Sequence, residues 1–219
     1  MIDNAFLKES LRGEGGFILS DDILNKFIDL GEEVHLPAQS YIIAPNRVNK
    51  SVWITGKGVT KALYFDGKKE FILGFSGPGT ITLSPISFGL EKPSFCAFQT
   101  VTDCEMLRIK KDDFDKLMKE SHEFARWMFG IMIGQFCALE LKSQMLSEGD
   151  IYSNYKKLVK RRMILDNNGF DPNRPSLLSI ISSKDLALYL GITQSYLSNI
   201  RKAILDEERL SEDHKKGGV

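Results

Sequence analysis

The sequence predicts an α+β chain: short strands first, then one long apolar helix, then a compact helical segment. Three observations predict it. From Val34 to Ile109 the apolar residues come in short β-rich runs separated by turn signals. After Lys111 the strands stop and a helical period takes over, with one apolar stretch from Trp127 to Leu139. Last, the segment SKDLALYLGITQSYLSNIRK (183–202) has the residue types of a helix-turn-helix.

The elements follow in order. Asp21 and Asp22 open ILNKFIDLG, whose Ile23, Leu24, Phe27, Ile28 and Leu30 repeat at helical spacing before Gly31, so a short helix is expected. Strands are expected in YIIA (41–44), SVWIT (51–55), VTKALYF (59–65), EFILGF (70–75), FCAFQTV (95–101) and CEMLRI (104–109). GKG (56–58), DG (66–67) and GPG (77–79) serve as turns. Strands this short and evenly spaced suit a small antiparallel barrel or sandwich. DDFDKLMKES (112–121) reads as a short helix, and Ser121 as the cap of a long one.

In that long helix Trp127, Ile131, Gly134, Ala138, Leu141 and Met145 alternate at spacings of 4 and 3, an a/d seam. A second stripe, Phe129, Met132, Phe136, Leu139 and Leu146, flanks it. A helix apolar on two faces must cover both. A central helix of a monomer and a dimerisation helix are both open, with Gly134 and Ala138 allowing close backbone approach in the second case. Gly149 and Asp150 mark the expected domain boundary. Beyond it YSNYKKLVKRRMIL (152–165) reads as a basic-faced helix, DNNGFDPNRPS (166–176) as a loop and SLLSIIS (176–182) as a short strand.

In the helix-turn-helix, Ala187 is the small residue where two steeply crossed helices touch. Gly191 supplies the turn, and Leu186, Leu190, Ile192, Leu197 and Ile200 seal the pair. Thr193 caps the second helix, whose outer face shows Gln194, Ser195, Tyr196, Ser198, Asn199, Arg201 and Lys202. Amide, hydroxyl and cationic groups in that pattern suit base edges and phosphates. An ordinary αα-hairpin is the bland reading. It predicts mixed charge on this face, and neither Ala nor Gly at these offsets.

Composition sets the remaining bounds. The 219 residues are 42% hydrophobic and 26% charged with a formal net charge of zero, so a real core is available and global charge names no partner. Residues 150–219 hold 12 basic and 9 acidic residues, net +3, which leaves 17 and 20 for residues 1–149, net −3. That asymmetry favours an anion-binding C-terminal module. Cys96, Cys104 and Cys137 make no CxxC, so a disulfide framework, a zinc site and an iron–sulfur cluster are not expected. Cys96 and Cys137 sit in apolar surroundings, as buried core thiols do. His35, His122 and His214 are scattered, which argues against haem, a cupin-type metal centre and catalysis. The N-terminal MIDNAFLKESLRGEGG lacks a signal-peptide pattern, and the longest apolar run is shorter than the roughly 20 residues of a membrane span. A cytoplasmic chain is expected, with no cofactor and no membrane.

On these residues the chain resembles the Crp/Fnr superfamily of bacterial transcription regulators, relatives of the cyclic-AMP receptor protein, over nearly its whole length. VWITGKGVTKALYFDGKKEFILGFSGPGTI (52–81) is similar to the core of that family's cyclic-nucleotide-type β-roll, and SFCAFQTVTDCEMLRIKKDDF (94–114) to the strands that close it. YLGITQSYLSNIRK (189–202) is most similar to members of the Bacteroidetes type. The resemblance implies a β-roll sensor domain over 1–120, a dimerisation helix over 121–149 and a DNA-binding domain over 150–219. The implied partners are double-stranded DNA, a second copy through 121–147, an effector and RNA polymerase. It places an effector pocket at Gly79, Ile81, Leu83, Ser84, Ser94 and Phe95.

Two departures matter. Ser84 stands where cyclic-AMP-binding members carry a ribose-binding glutamate, and Ser94 and Phe95 stand where they carry the Arg-Ser pair for the phosphate. A buried phosphate needs a cationic fork or several donors, and Lys92, beside Pro93, is expected to be solvated. Cyclic AMP is therefore disfavoured. The family's β-hairpin wing is also missing from SEDHKKGGV (211–219), so the wing is expected to be reduced or absent. The alternative in a different class is a ligand-binding or protein-interaction β-roll dimer with weakened DNA binding.

Overall fold

The computed structural model describes residues 2–12, 16–147, 150–160 and 177–216. In chain order the elements are α1 (Asn4–Arg12), α2 (Asp21–Asp29), β1 (Glu32–Leu36), β2 (Tyr41–Ile43), β3 (Ser51–Lys57), β4 (Thr60–Asp66), β5 (Lys69–Ser76) and β6 (Ile81–Thr82). Next come α3 (Pro85–Leu90), β7 (Cys96–Thr100), β8 (Cys104–Lys110), α4 (Lys111–Glu120) and α5 (His122–Ser147). The C-terminal helices are α6 (Ile151–Lys160), α7 (Leu177–Ile180), α8 (Ser183–Leu190) and α9 (Gln194–Lys216). All the strands expected between Val34 and Ile109 form.

The strands make two four-stranded antiparallel sheets, ordered β1-β8-β3-β6 and β2-β7-β4-β5. Alternation along β8 shows how they face each other. Cys104 and Met106 join Trp53, Ile42 and Ile43 in a cluster inside the roll, whereas Leu107 and Ile109 pack under the helices. Gly58, at φ +98, makes the β3–β4 turn against the strand that closes the roll. A Cβ there would lie 2.5 Å from the Asp103 carbonyl oxygen, so only glycine fits.

Two helices form where the sequence analysis expects no element. Asp3 starts α1 by accepting from the backbone N–H groups of Ala5 and Phe6 at 3.0 and 3.1 Å, and Leu7 and Leu11, one turn apart, are fully buried. Ser84 starts α3, accepting from Ser87 N–H at 3.4 Å with Pro85 in the first turn. Both signatures were present in the chain. The strand expected in SLLSIIS is instead the short helix α7, since a short apolar run does not distinguish the two by period. The loop 166–176 and the basic stretch 161–165 lie outside the described residues.

On the outer face of the first sheet α2, α3, α4 and α5 meet in an aromatic cluster. Phe27 contacts the rings of Phe124 at 4.8 Å and Trp127 at 5.8 Å, while Phe114 packs between Phe88 (5.2 Å) and Phe124 (5.4 Å). This cluster corrects the seam expected in the long helix. Trp127 and Ile131 are buried in it at 0% and 5% exposure, while Phe129, Phe136, Leu139 and Leu146 from the flanking stripe stay exposed. Only the start of the seam is core: Gly134, Ala138 and Leu141 stay exposed beside the flanking stripe, because periodicity locates apolar faces without saying how far the chain's own sheet covers them. Ser121 caps α5 as expected, accepting from Phe124 N–H at 3.1 Å. By length and composition α5 could cross a membrane, but its first half is core.

The outer face of the second sheet is covered by the C-terminal helices. Leu63, Ile72, Phe75 and Ala97 form one continuous cluster with Leu186, Tyr189, Leu190 and Leu197. Lys142 of α5 reaches across to donate to the carbonyls of Ile72 (2.5 Å) and Leu73 (3.1 Å) beneath the Tyr189 ring, and burial lowers its pKa to about 8.

Trp127→Ala empties the middle of the aromatic cluster. A loss of about 3–5 kcal/mol in unfolding free energy is expected, measured by urea denaturation of the full chain. A loss under about 1 kcal/mol would mean the cluster does not hold α5 on the roll.

Candidate nucleic-acid interface

The helix-turn-helix takes the geometry its residues dictate. Ser182 caps α8, accepting from Asp185 N–H at 3.0 Å. Gly191 ends α8 at φ +68, a left-handed position where glycine carries no steric cost, and its N–H closes onto the carbonyls of Ala187 and Leu188. Ala187, Leu186, Leu190, Leu197 and Ile200 are buried between the helices. Thr193 caps α9: its Oγ1 accepts from Tyr196 N–H at 3.2 Å and lies 3.1 Å from Ser195 Oγ.

Gln194, Ser195, Tyr196, Ser198, Asn199 and Lys202 are all exposed on one end of α9, so the polar face is presented as the spacing predicts. Arg201 differs. Its Nε donates to Tyr155 Oη at 3.0 Å and its Nη1 to Ser183 Oγ at 2.7 Å, so the guanidinium ties α9 to α6 and α8. Periodicity put Arg201 on the outer face. Tyr155, from outside the motif, draws it partly inward. At the far side of α9 Tyr152 and Lys156 of α6 both bond Glu207, a second tie the sequence reading did not reach. The helix then runs on to Lys216.

The six residues assigned to an effector pocket are engaged in different ways. Ile81 and Leu83 pack toward the helices. Ser84 Oγ is used as the α3 cap, Ser94 Oγ donates to the Cys96 carbonyl at 2.5 Å, and Phe95 is 68% exposed. Gly79, at φ +84, donates from its N–H to the Thr55 carbonyl at 2.7 Å and shapes the turn. Lys92 is exposed. Register puts Arg108 on the inner face beside Met106 and Trp53. Its guanidinium lies 5.9 Å from the Trp53 ring and pairs with Glu32 at 2.6 Å. Trp53 Nε1 and Thr55 Oγ1 are buried without a hydrogen-bond partner among the described residues.

A groove of about 630 Å³ opens elsewhere, between α3, α4 and α5, lined by Leu83, Phe88, Met118, Met128, Phe129 and Met132. It is continuous with the exposed stripe of α5. The cysteines also depart from expectation. Cys137 is exposed on α5, while Cys104 is the fully buried thiol, and burial pushes its pKa up to about 11. Among the described residues no group of three His, Cys, Asp or Glu side chains is placed to hold a metal ion.

Comparison with known proteins agrees with this geometry. Residues 33–121 match the cyclic nucleotide-binding domain family. No curated protein matches the chain in sequence. Among solved structures, the c-di-GMP-responsive global regulator CLP of Xanthomonas campestris superposes with a TM-score of 0.64 at 16% identity, covering 86% of this chain and 93% of that one. A CooA mutant from Carboxydothermus hydrogenoformans gives 0.64 at 17% identity, covering 86% and 87%. FixK2 from Bradyrhizobium japonicum gives 0.65 at 16% identity, covering 81% and 86%. At such identities the likeness speaks for the fold: β-roll, long helix and C-terminal helices in one order.

Proposed function

We propose that this chain, which has the fold of the Crp/Fnr regulators, is a cytoplasmic, homodimeric, sequence-specific DNA-binding transcription regulator without catalytic activity. The observation that carries the reading is the capped, solvent-facing polar end of α9 on a tightly sealed helix-turn-helix. Gln194 at the N-terminus of α9 reads a base edge, its amide matching adenine N6 and N7, and Asn199 does likewise one turn on. Ser195 and Tyr196 add hydroxyl or thymine-methyl contacts. Ser198 and Lys202 hold phosphates, with Thr193 fixing the helix start. Arg201, held by Tyr155 and Ser183, orients α9 and offers its remaining N–H groups to the backbone. RNA polymerase is the protein partner such a regulator would meet.

Dimerisation runs through residues 121–147, along the exposed stripe of Phe129, Phe136, Leu139 and Leu146 and into the groove beside it, which Met132 lines. An exposed apolar stripe of this length on one helix is unfavourable in water and supports a second copy as its cover. The roll takes an effector other than cyclic AMP, because Ser84 and Ser94 are engaged locally and Arg108 is paired. The second reading, an interaction module with weakened DNA binding, is favoured by one observation: the tethered Arg201 leaves α9 with less free cation.

Three outcomes test this. In selection from random duplexes, Gln194→Ala or Asn199→Ala should relax preference at particular positions, costing about 1–3 kcal/mol each. Lys202→Ala should instead weaken all duplexes alike and reduce the salt slope by about 1. Failure to enrich any half-site favours the interaction module. Phe136→Glu places a charge in the stripe and should give monomers by analytical ultracentrifugation, whereas a variant that stays dimeric moves the interface off α5. Calorimetric titration with cyclic AMP should show binding no tighter than about millimolar, and a micromolar constant would assign the phosphate to other donors in the roll.

A further inference from the structure

We propose that the seat of α8 on the outer face of the second sheet is a latch that fixes the orientation of α9, with Lys61 as its register pin. Lys61 on β4 points outward, is 4% exposed, and lies 3.1 Å from Asp185 Oδ1 in the first turn of α8 and 3.5 Å from Glu70 Oε1 on β5. Around it the contact is apolar, with Phe75 and Tyr189 rings 5.7 Å apart. Apolar contact is non-directional, so α8 could slide along such a sheet at little cost. The ion pair forbids that. Any other register leaves Lys61 with Glu70 but takes the buried Asp185 carboxylate from its partner, which costs far more than the pair itself contributes.

The pin also explains what the latch does for the site. In the seated position the polar end of α9 remains exposed, so seating does not mask it. Two seated α9 helices in a dimer hold one separation, which is what two half-sites on a duplex require. The strands that carry the seat, β4, β5 and β7, line the roll interior with their other face, where Ala62 and Phe98 pair across the sheet. A change inside the roll therefore reaches α8 through the thickness of one sheet.

The duplex readout rests on the DNA-binding function proposed above, and the exchange readout does not. In the full chain, Lys61→Met and Asp185→Asn should each speed amide hydrogen exchange in α8 and β5 about tenfold while leaving α2 and the first half of α5 unchanged. Affinity for a duplex carrying two half-sites should fall about tenfold, and affinity for a single half-site should stay within about twofold. If Lys61→Met loosens α2 as well, it has lost the fold, and Asp185→Asn decides alone. Unchanged exchange in α8 overturns the latch, as does an equal fall on both duplexes. If the wild-type chain binds no duplex, the DNA reading fails and the exchange result still decides the latch.

Discussion

The structure depends on one constraint: the sheet β2-β7-β4-β5 is apolar on both faces. A sheet that is half-buried needs one cover, and this one needs two. Phe98 and its neighbours on the inner face meet the first sheet. Leu63, Ile72, Phe75 and Ala97 on the outer face meet α8. The C-terminal helices are therefore part of the folded core as well as the bearer of the polar surface. Their position is set by what the roll must bury.

The helix α5 meets the same demand at a different place. Its first half closes the aromatic cluster over the first sheet, through Phe124, Trp127 and Ile131. Its second half leaves the roll, touching it through Gln135, which donates to the Ile81 carbonyl at 3.2 Å, and Lys142. One helix thus binds both sheets and still turns an apolar stripe to solvent beside a groove. Rigid attachment at one end and an unpaired apolar face at the other are what an interface between copies uses. The polar end of α9 sits on this scaffold, held from behind by Arg201 and from the side by Glu207.

Much of this was legible in the chain, element by element. Turn glycines and β-rich runs located the strands, Ser121 and Thr193 announced the starts of α5 and α9, and Ala187 and Gly191 announced the crossing between α8 and α9. The cap signatures at Asp3 and Ser84 are equally local, but each precedes only a short helix, whose few residues show little period. The reading of SLLSIIS as a strand failed for a related reason: a few apolar residues fit either period.

What the amino-acid order determined by itself is everything that depends on neighbours within a turn or two: caps, turns, alternation, and the residue types on the outer face of α9. Tertiary structure alone decided how much of the α5 seam is core, which cysteine is buried, and that Arg201 and Lys61 are tied inward by Tyr155 and Asp185. Those outcomes turn on partners 46 residues away from Arg201 and 124 away from Lys61. Periodicity reports that a face is apolar or that a cation is present. It carries no information about which distant surface arrives to cover the one or neutralise the other, because that choice is made only when the whole chain competes for the same buried space.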